Sequence, residues 1–192
     1  MPEHISIVIP AYNEEARLGS TIARVLDYMD SNRLSDGELI VVDDGSSDGT
    51  VTVAKEEFAK NGRVRTRVID YGQNRGKGYA VREGLKRATG EIALFTDADL
   101  STPIEELPKL IAPIISGDFD VTFGSRALDR SLIGTHQPWR REQGEAEASG
   151  RYMSAAMSIV QKYRTFEPTE PYEGVLLGRP EESRAAVDVS PR

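Results

Sequence analysis

The sequence predicts an α/β fold in which parallel βαβ units build one sheet with helices on both faces. Two observations predict it. Short apolar, β-branched runs alternate with stretches of helical spacing from residue 5 to residue 124. Polar clusters follow those runs directly, at the carboxyl ends of the strands, where open parallel sheets bind ligands.

Residues 5–10 (ISIVIP) form a short apolar run ending at a proline and read as a buried strand. From residue 14 to about 30, Leu18, Ile22, Val25, Leu26 and Met29 recur at helical spacing. Residues 38–42 (ELIVV) make the second strand, which runs into Asp43, Asp44, Gly45 and Ser46. A second helix follows over 50–60, with Ser47 or Asp48 as its expected cap. The third strand is 66–70 (TRVID), followed by a polar loop over 71–76. Tyr79, Val81, Leu85 and Ala88 then mark a helix expected to close at Gly90. Residues 92–95 (IALF) form the fourth strand and lead into TDADL. Ser101, Pro103, Glu105 and Glu106 read as the next helix start, with Ser101 as cap and acids at the positive end, and that helix runs to about Ile115. The fifth strand is 119–124 (FDVTFG). Beyond about Gly144 the composition becomes small, acidic and then rich in Pro, Glu, Arg and Ser. An amphipathic helix is expected over 152–163 and little structure over 166–192. The expected division is therefore a domain over 1–143 and a divergent tail over 144–192.

The 192 residues suit one domain with a real core, and the net charge of -7 argues against broad attraction to nucleic acid. With no cysteine, disulfide and thiolate chemistry are excluded. No run of about 18 apolar residues and no secretory leader is visible, so a cytoplasmic chain is expected.

Asp97 and Asp99 flank one residue just after a strand, and extended spacing would put both side chains on one side. Two hard carboxylates suit Mg²⁺ or Mn²⁺, which complete their shells with water and substrate phosphate. Asp43 and Asp44 follow the second strand, a position where a carboxylate often receives donors from a ribose or base, although taken alone they are better explained by a turn and helix cap. Tyr12, Asn13 and Glu14 follow Pro10 after the first strand. The 71–77 loop (YGQNRGK) holds two glycines and two cations, but neither the phosphate-loop nor the dinucleotide fingerprint fits its spacing. Arg126, in GSR after the fifth strand, and Arg140 have the forked donors that suit phosphate.

In order and each at a strand end, IVIPAYNEE, VVDDGSSDGT, GQNRGKGYAVREGL, TDADLSTP and FGSR resemble glycosyltransferase family 2. Residues 131–142 (SLIGTHQPWRRE) look further like its branch that glucosylates dolichyl or polyprenyl phosphate. The resemblance implies a Rossmann-like GT-A fold, incomplete at its C-terminus here. It implies that Pro10, Tyr12, Glu14 and Asp43 lie around the base and ribose, that Asp44 also binds substrate, and that Gln73 and Lys77 line the donor site. Asp97 and Asp99 would hold Mg²⁺ or Mn²⁺, with Asp97 also touching substrate. Asp99, Arg126 and Arg140 would be the catalytic residues, Arg126 contacting the donor diphosphate or the acceptor phosphate and Arg140 lying in the acceptor loop. The expected partners are a nucleotide-sugar donor, first UDP-glucose, and a polyprenyl phosphate at a membrane surface. GDP-mannose and UDP-N-acetylglucosamine remain alternative donors. Members of the branch continue with a D-T-Q-C-G-F-K-like segment that this sequence lacks. A donor-binding fragment with crippled transfer is therefore the other reading.

Overall fold

A computed structural model of the 192-residue chain describes residues 4–119, 121–125, 156–162 and 187–188. Strand and helix alternate as β1 (Ile5–Ala11), α1 (Glu15–Ser31), β2 (Glu38–Asp43), α2 (Thr50–Lys60), β3 (Arg65–Asp70), α3 (Lys77–Arg87) and β4 (Ile92–Thr96). A 3-10 turn over Ile104–Glu106 leads into α4 (Leu107–Ile115), and β5 (Val121–Ser125), β6 (Ala156–Lys162) and β7 (Val187–Asp188) follow.

The sheet order is β3-β2-β1-β4-β6-β5-β7. β1 pairs in parallel with β2 and β4, and β2 with β3. Side chains along these strands divide between two cores, as the two-residue period of a strand requires. Ile5, Ile7 and Ile9 of β1, Leu39 and Val41 of β2 and Leu94 of β4 pack with α1 and α4. Val8, Ile40, Val42 and Phe95 face the other way, against Ala80 and Val81 of α3. Helix α3 approaches closely because residue 84 has no side chain. A Cβ on Gly84 would lie 2.3 Å from Val8 Cγ1 and 2.9 Å from Val42 Cγ2.

Four expectations are corrected. The helix expected over 152–163 is strand β6, antiparallel to both β4 and β5, so the sheet is mixed rather than wholly parallel. Met157, Ile159 and Val160 fit both periods over so short a run, and adjacent β-branched residues favour the strand that supplies β4 and β5 with backbone partners. Gly90 does not close α3, which ends at Ala88 in an extended conformation. Its N–H instead donates to Ser6 Oγ at 2.8 Å, and a Cβ there would meet Ser6 N at 2.6 Å. Helix α2 starts from Gly49, and Asp48 accepts the Thr50 N–H from just outside it at 3.0 Å. Ser101 caps no helix: its hydroxyl and N–H both donate to Asp99 Oδ1. Of the tail expected over 166–192, all but β7 lies outside the described residues.

A buried polar cluster fastens the amino-terminal edge of the sheet. Glu38 Oε1 accepts the Ser6 hydroxyl at 2.7 Å, the Thr89 N–H at 2.6 Å and the Thr89 hydroxyl at 2.8 Å. Burial pushes the Glu38 carboxyl up, but these hydrogen bonds and the nearby Arg67 charge outweigh it and leave it below the usual glutamate range. A carboxyl depressed in the folded state stabilises the protein fully above its unfolded value of about 4.3, and that contribution is lost as pH falls through the folded value. Urea midpoints are therefore expected to fall below about pH 4.3. Glu38→Gln is expected to be less stable at neutral pH and to show a shallower acid slope. Parallel wild-type and Glu38→Gln curves would remove Glu38 as the source of that slope.

Candidate active site

One cleft lies at the carboxyl ends of β1, β2 and β4, where the polar clusters were expected. Its walls are Pro10, Ala11, Tyr12 and Glu14 after β1, Asp44 after β2, Asn74, Gly76, Lys77 and Ala80 around the start of α3, and Asp97, Ala98 and Asp99 after β4.

The two acids after β4 are not in extended chain. Asp97 opens a tight turn in which the Leu100 N–H donates to the Asp97 carbonyl at 3.0 Å, and Leu100 takes φ 46°. Both side chains nonetheless line the cleft, for a different reason from the expected one. Ala98, only 5% exposed, is drawn into the core between them. The Thr21 hydroxyl of α1 donates to the Ala98 carbonyl at 2.6 Å. Burying the middle residue and pinning its carbonyl leaves the flanking carboxylates to the cleft. Lys77, the first residue of α3, places its ammonium 2.7 Å from Asp97 Oδ1.

The loops after β1 and β2 are laced together. The Asn13 N–H donates to Ser46 Oγ at 2.9 Å, the Glu14 N–H to Thr50 Oγ1 at 2.8 Å, and the Ser47 N–H to Asn13 Oδ1 at 2.9 Å. Asn13 holds φ 54°, a left-handed conformation that asparagine tolerates better than most residues. This turn leaves Tyr12 49% exposed at the cleft mouth.

Asp43 and Asp44 divide their tasks. Asp43 Oδ2 accepts the N–H groups of Gly45 (3.1 Å) and Ser46 (2.9 Å), closing the turn after β2. Its Oδ1 is buried and has no partner among the described residues. Asp44 spends both oxygens on the 71–76 loop. Oδ1 accepts the Tyr71 hydroxyl and, at 2.8 Å, the Arg75 N–H; Oδ2 accepts the Gly76 N–H at 2.8 Å. Burial, then the hydrogen bond and charge of Asp44, push the Tyr71 phenol far above the usual tyrosine range, so it remains a donor. Gly45 seats the loop: at φ 74° it lies where a Cβ would be 2.6 Å from Asn74 N. Tyr71 and Tyr79 meet edge to face at 5.2 Å, and Arg75 lies over the Tyr79 ring.

Of the residues expected at the site, Pro10, Tyr12, Glu14, Asp44, Lys77, Asp97 and Asp99 come together in the cleft. Asp43 and Gln73 are not among its walls. The backbone of the exposed Gln73 lies against the Gly45 turn. Arg126 and Arg140 lie outside the described residues. Ala11, Asn74, Gly76, Ala80 and Ala98 also line the cleft and were not singled out as site residues. The alternation of Ala98 with two acids, after an apolar strand, was the available signal for the last.

The donor set fits a hard divalent ion that substrate helps to hold. Among the described residues no group of three or more His, Cys, Asp or Glu could hold a metal alone. Asp97 and Asp99 offer carboxylates from one turn, and Mg²⁺ or Mn²⁺ commonly takes one or two carboxylates plus phosphate oxygens and water. No helix among the described residues is long and apolar enough to cross a membrane.

Comparisons with known proteins give the family and the fold. The chain is 39% identical over 147 residues to the dolichyl-phosphate beta-glucosyltransferase of Drosophila melanogaster, covering 71% of this chain and 45% of that protein. It is 42% identical over 112 residues to the Mus musculus protein of the same name, covering 56% of this chain and 35% of the relative. The chain thus spans less than half the length of these relatives. Its fold matches Mycobacterium tuberculosis glucosyl-3-phosphoglycerate synthase, solved with Mn²⁺, UDP-glucose and phosphoglyceric acid. That match has a TM-score of 0.54 and 26% identity, over 83% of this chain and 56% of that chain. The family model described as glycosyl transferase family 2 matches residues 6–166, which takes in β6. The chain belongs to glycosyl transferase family 2 and has the GT-A-like α/β fold of that family's glycosyltransferases.

Proposed function

We propose that this chain carries the donor site of an inverting glucosyltransferase that moves glucose from UDP-glucose to a polyprenyl or dolichyl phosphate at a membrane surface. The observation that carries the reading is the pair Asp97 and Asp99, turned into one cleft with Lys77 at the carboxyl edge of the sheet. The relatives named for dolichyl-phosphate glucosylation support the acceptor, and the synthase bound to UDP-glucose and Mn²⁺ supports the donor.

The chemistry follows from charge. An acceptor phosphate oxygen attacks the anomeric carbon from the face opposite the diphosphate. The new carbon–oxygen bond forms as the bond to the diphosphate breaks, and the configuration inverts. The acceptor oxygen is already anionic near neutral pH, so the site has to position it rather than deprotonate it. A divalent ion held by Asp97 and Asp99 would supply positive charge to the leaving diphosphate. Lys77 would add an ammonium on the same side, and Tyr12 and Glu14 would border the nucleoside. Asp43, whose buried oxygen has no partner among the described residues, would accept a donor from the base or ribose. Arg126 and Arg140 are proposed to position the diphosphate and the acceptor phosphate.

Transfer of radiolabelled glucose from UDP-glucose to dolichyl phosphate in detergent, with Mn²⁺ or Mg²⁺, tests the reading. A glucolipid product supports it. Donor binding without product assigns this chain the donor half alone. Product formed only from GDP-mannose or UDP-N-acetylglucosamine would replace the sugar.

A further inference from the structure

Lys77 sits where an external cation is expected to sit. Its ammonium is 2.7 Å from Asp97 Oδ1, in an ion pair whose side chains are 59% and 27% exposed. The backbone that carries it is fixed. The N–H groups of Arg75 and Gly76 are tied to Asp44, and Gly76 turns the chain into α3 at φ 89°. The side chain beyond that anchor is a flexible four-carbon stem with a compact charge. It can exchange partners without moving the fold. Asp97 and Asp99 share one short turn, so an unneutralised pair would repel. An internal cation relieves this before any ligand arrives.

We propose that Lys77 is an exchangeable internal cation that competes with the divalent ion for Asp97 until the donor's diphosphate draws it away. This rests on the donor-site reading above and assigns that site a coupling device. A divalent ion that takes the Asp97 oxygen releases the ammonium to meet the diphosphate. A diphosphate that attracts the ammonium frees the oxygen for the ion. Each ligand therefore raises the affinity of the other, by the same factor in both directions. The positive amino-terminal end of α3 favours the same anion and keeps the released lysine near it.

The test measures Mn²⁺ binding to the whole chain without nucleotide, from the free-ion paramagnetic resonance signal. UDP binding is measured by calorimetry with and without saturating Mn²⁺. Wild type, Lys77→Met and Lys77→Arg are compared. Because Lys77 is largely exposed, the variants are expected to fold, and thermal unfolding checks this. Without nucleotide, Lys77→Met is expected to bind Mn²⁺ about three- to tenfold tighter, since a partly exposed competitor has been removed. With saturating Mn²⁺ it is expected to bind UDP about tenfold more weakly, and the coupling between the two ligands shrinks. Lys77→Arg keeps the charge and is expected to restore weak Mn²⁺ binding. Unchanged or weaker Mn²⁺ binding by Lys77→Met, in a series whose wild type binds both ligands, overturns the exchange while leaving the donor site standing. A folded wild type that binds neither Mn²⁺ nor UDP overturns the donor-site reading and the exchange together.

Discussion

Asp99→Ala is expected to weaken Mn²⁺-dependent binding of a nucleotide-diphosphate sugar by about 100-fold or more, because charge stabilisation by a bound metal is worth several kcal/mol. Stability is expected to change by only about 1 kcal/mol. Asp99 is the exposed residue of a short turn, and the contacts its Oδ1 makes to Ser101 are local. The turn itself is held by Thr21 and the buried Ala98, neither of which the substitution touches. Titration calorimetry on wild type and variant, with urea unfolding beside it, separates the two effects. A variant that keeps donor affinity in Mn²⁺ removes Asp99 from the metal site.

Asp44→Ala should have the opposite balance. Alanine leaves the Tyr71 hydroxyl and the Arg75 and Gly76 N–H groups without their acceptor, at a site only 3% exposed. Hydrogen bonds to a charged group contribute about 1.5–3 kcal/mol each and are not additive, so a loss of about 3–5 kcal/mol is expected. Donor affinity is expected to fall as well, since the same loop presents Asn74, Gly76 and Lys77 to the cleft. Hydrogen exchange reads this directly. The amides of Arg75 and Gly76 are expected to lose protection in Asp44→Ala beyond the global loss of stability. Asp44→Asn keeps one acceptor oxygen and should fall between the two. If both amides stay as protected as the remaining sheet amides, Asp44 does not hold the loop.

The parts of this site that were legible in the sequence are those set by local period and position. Five apolar runs alternating with helical segments placed the strands β1 to β5, and therefore the edge at which a ligand binds. The acids after β4 were legible as a pair for the same reason. Their geometry was not, because the turn depends on the contact between Thr21 and Ala98, 77 residues apart in sequence. Asp43 and Asp44 stand side by side after the second strand, and strand period and position alone do not separate their tasks. What separates them is a loop about 30 residues downstream that claims both oxygens of Asp44, while Asp43 Oδ1 has no partner among the described residues. β6 was misread because Met157, Ile159 and Val160 fit a helix as well as a strand over seven residues. Only the neighbouring edges of β4 and β5 decide between the two periods. Ser101 was misread because a serine before a proline and two acids is a common cap pattern, while Asp99 two residues earlier competes for it.

The most direct test of the donor site is calorimetric titration of the wild-type chain with UDP-glucose, in Mn²⁺ and again in excess chelator, after a cooperative unfolding transition has established that it is folded. Saturable binding in Mn²⁺ that chelator abolishes is the expected result. A folded chain that binds no UDP-glucose, GDP-mannose or UDP-N-acetylglucosamine with or without the metal would contradict the assignment of this cleft to a nucleotide sugar.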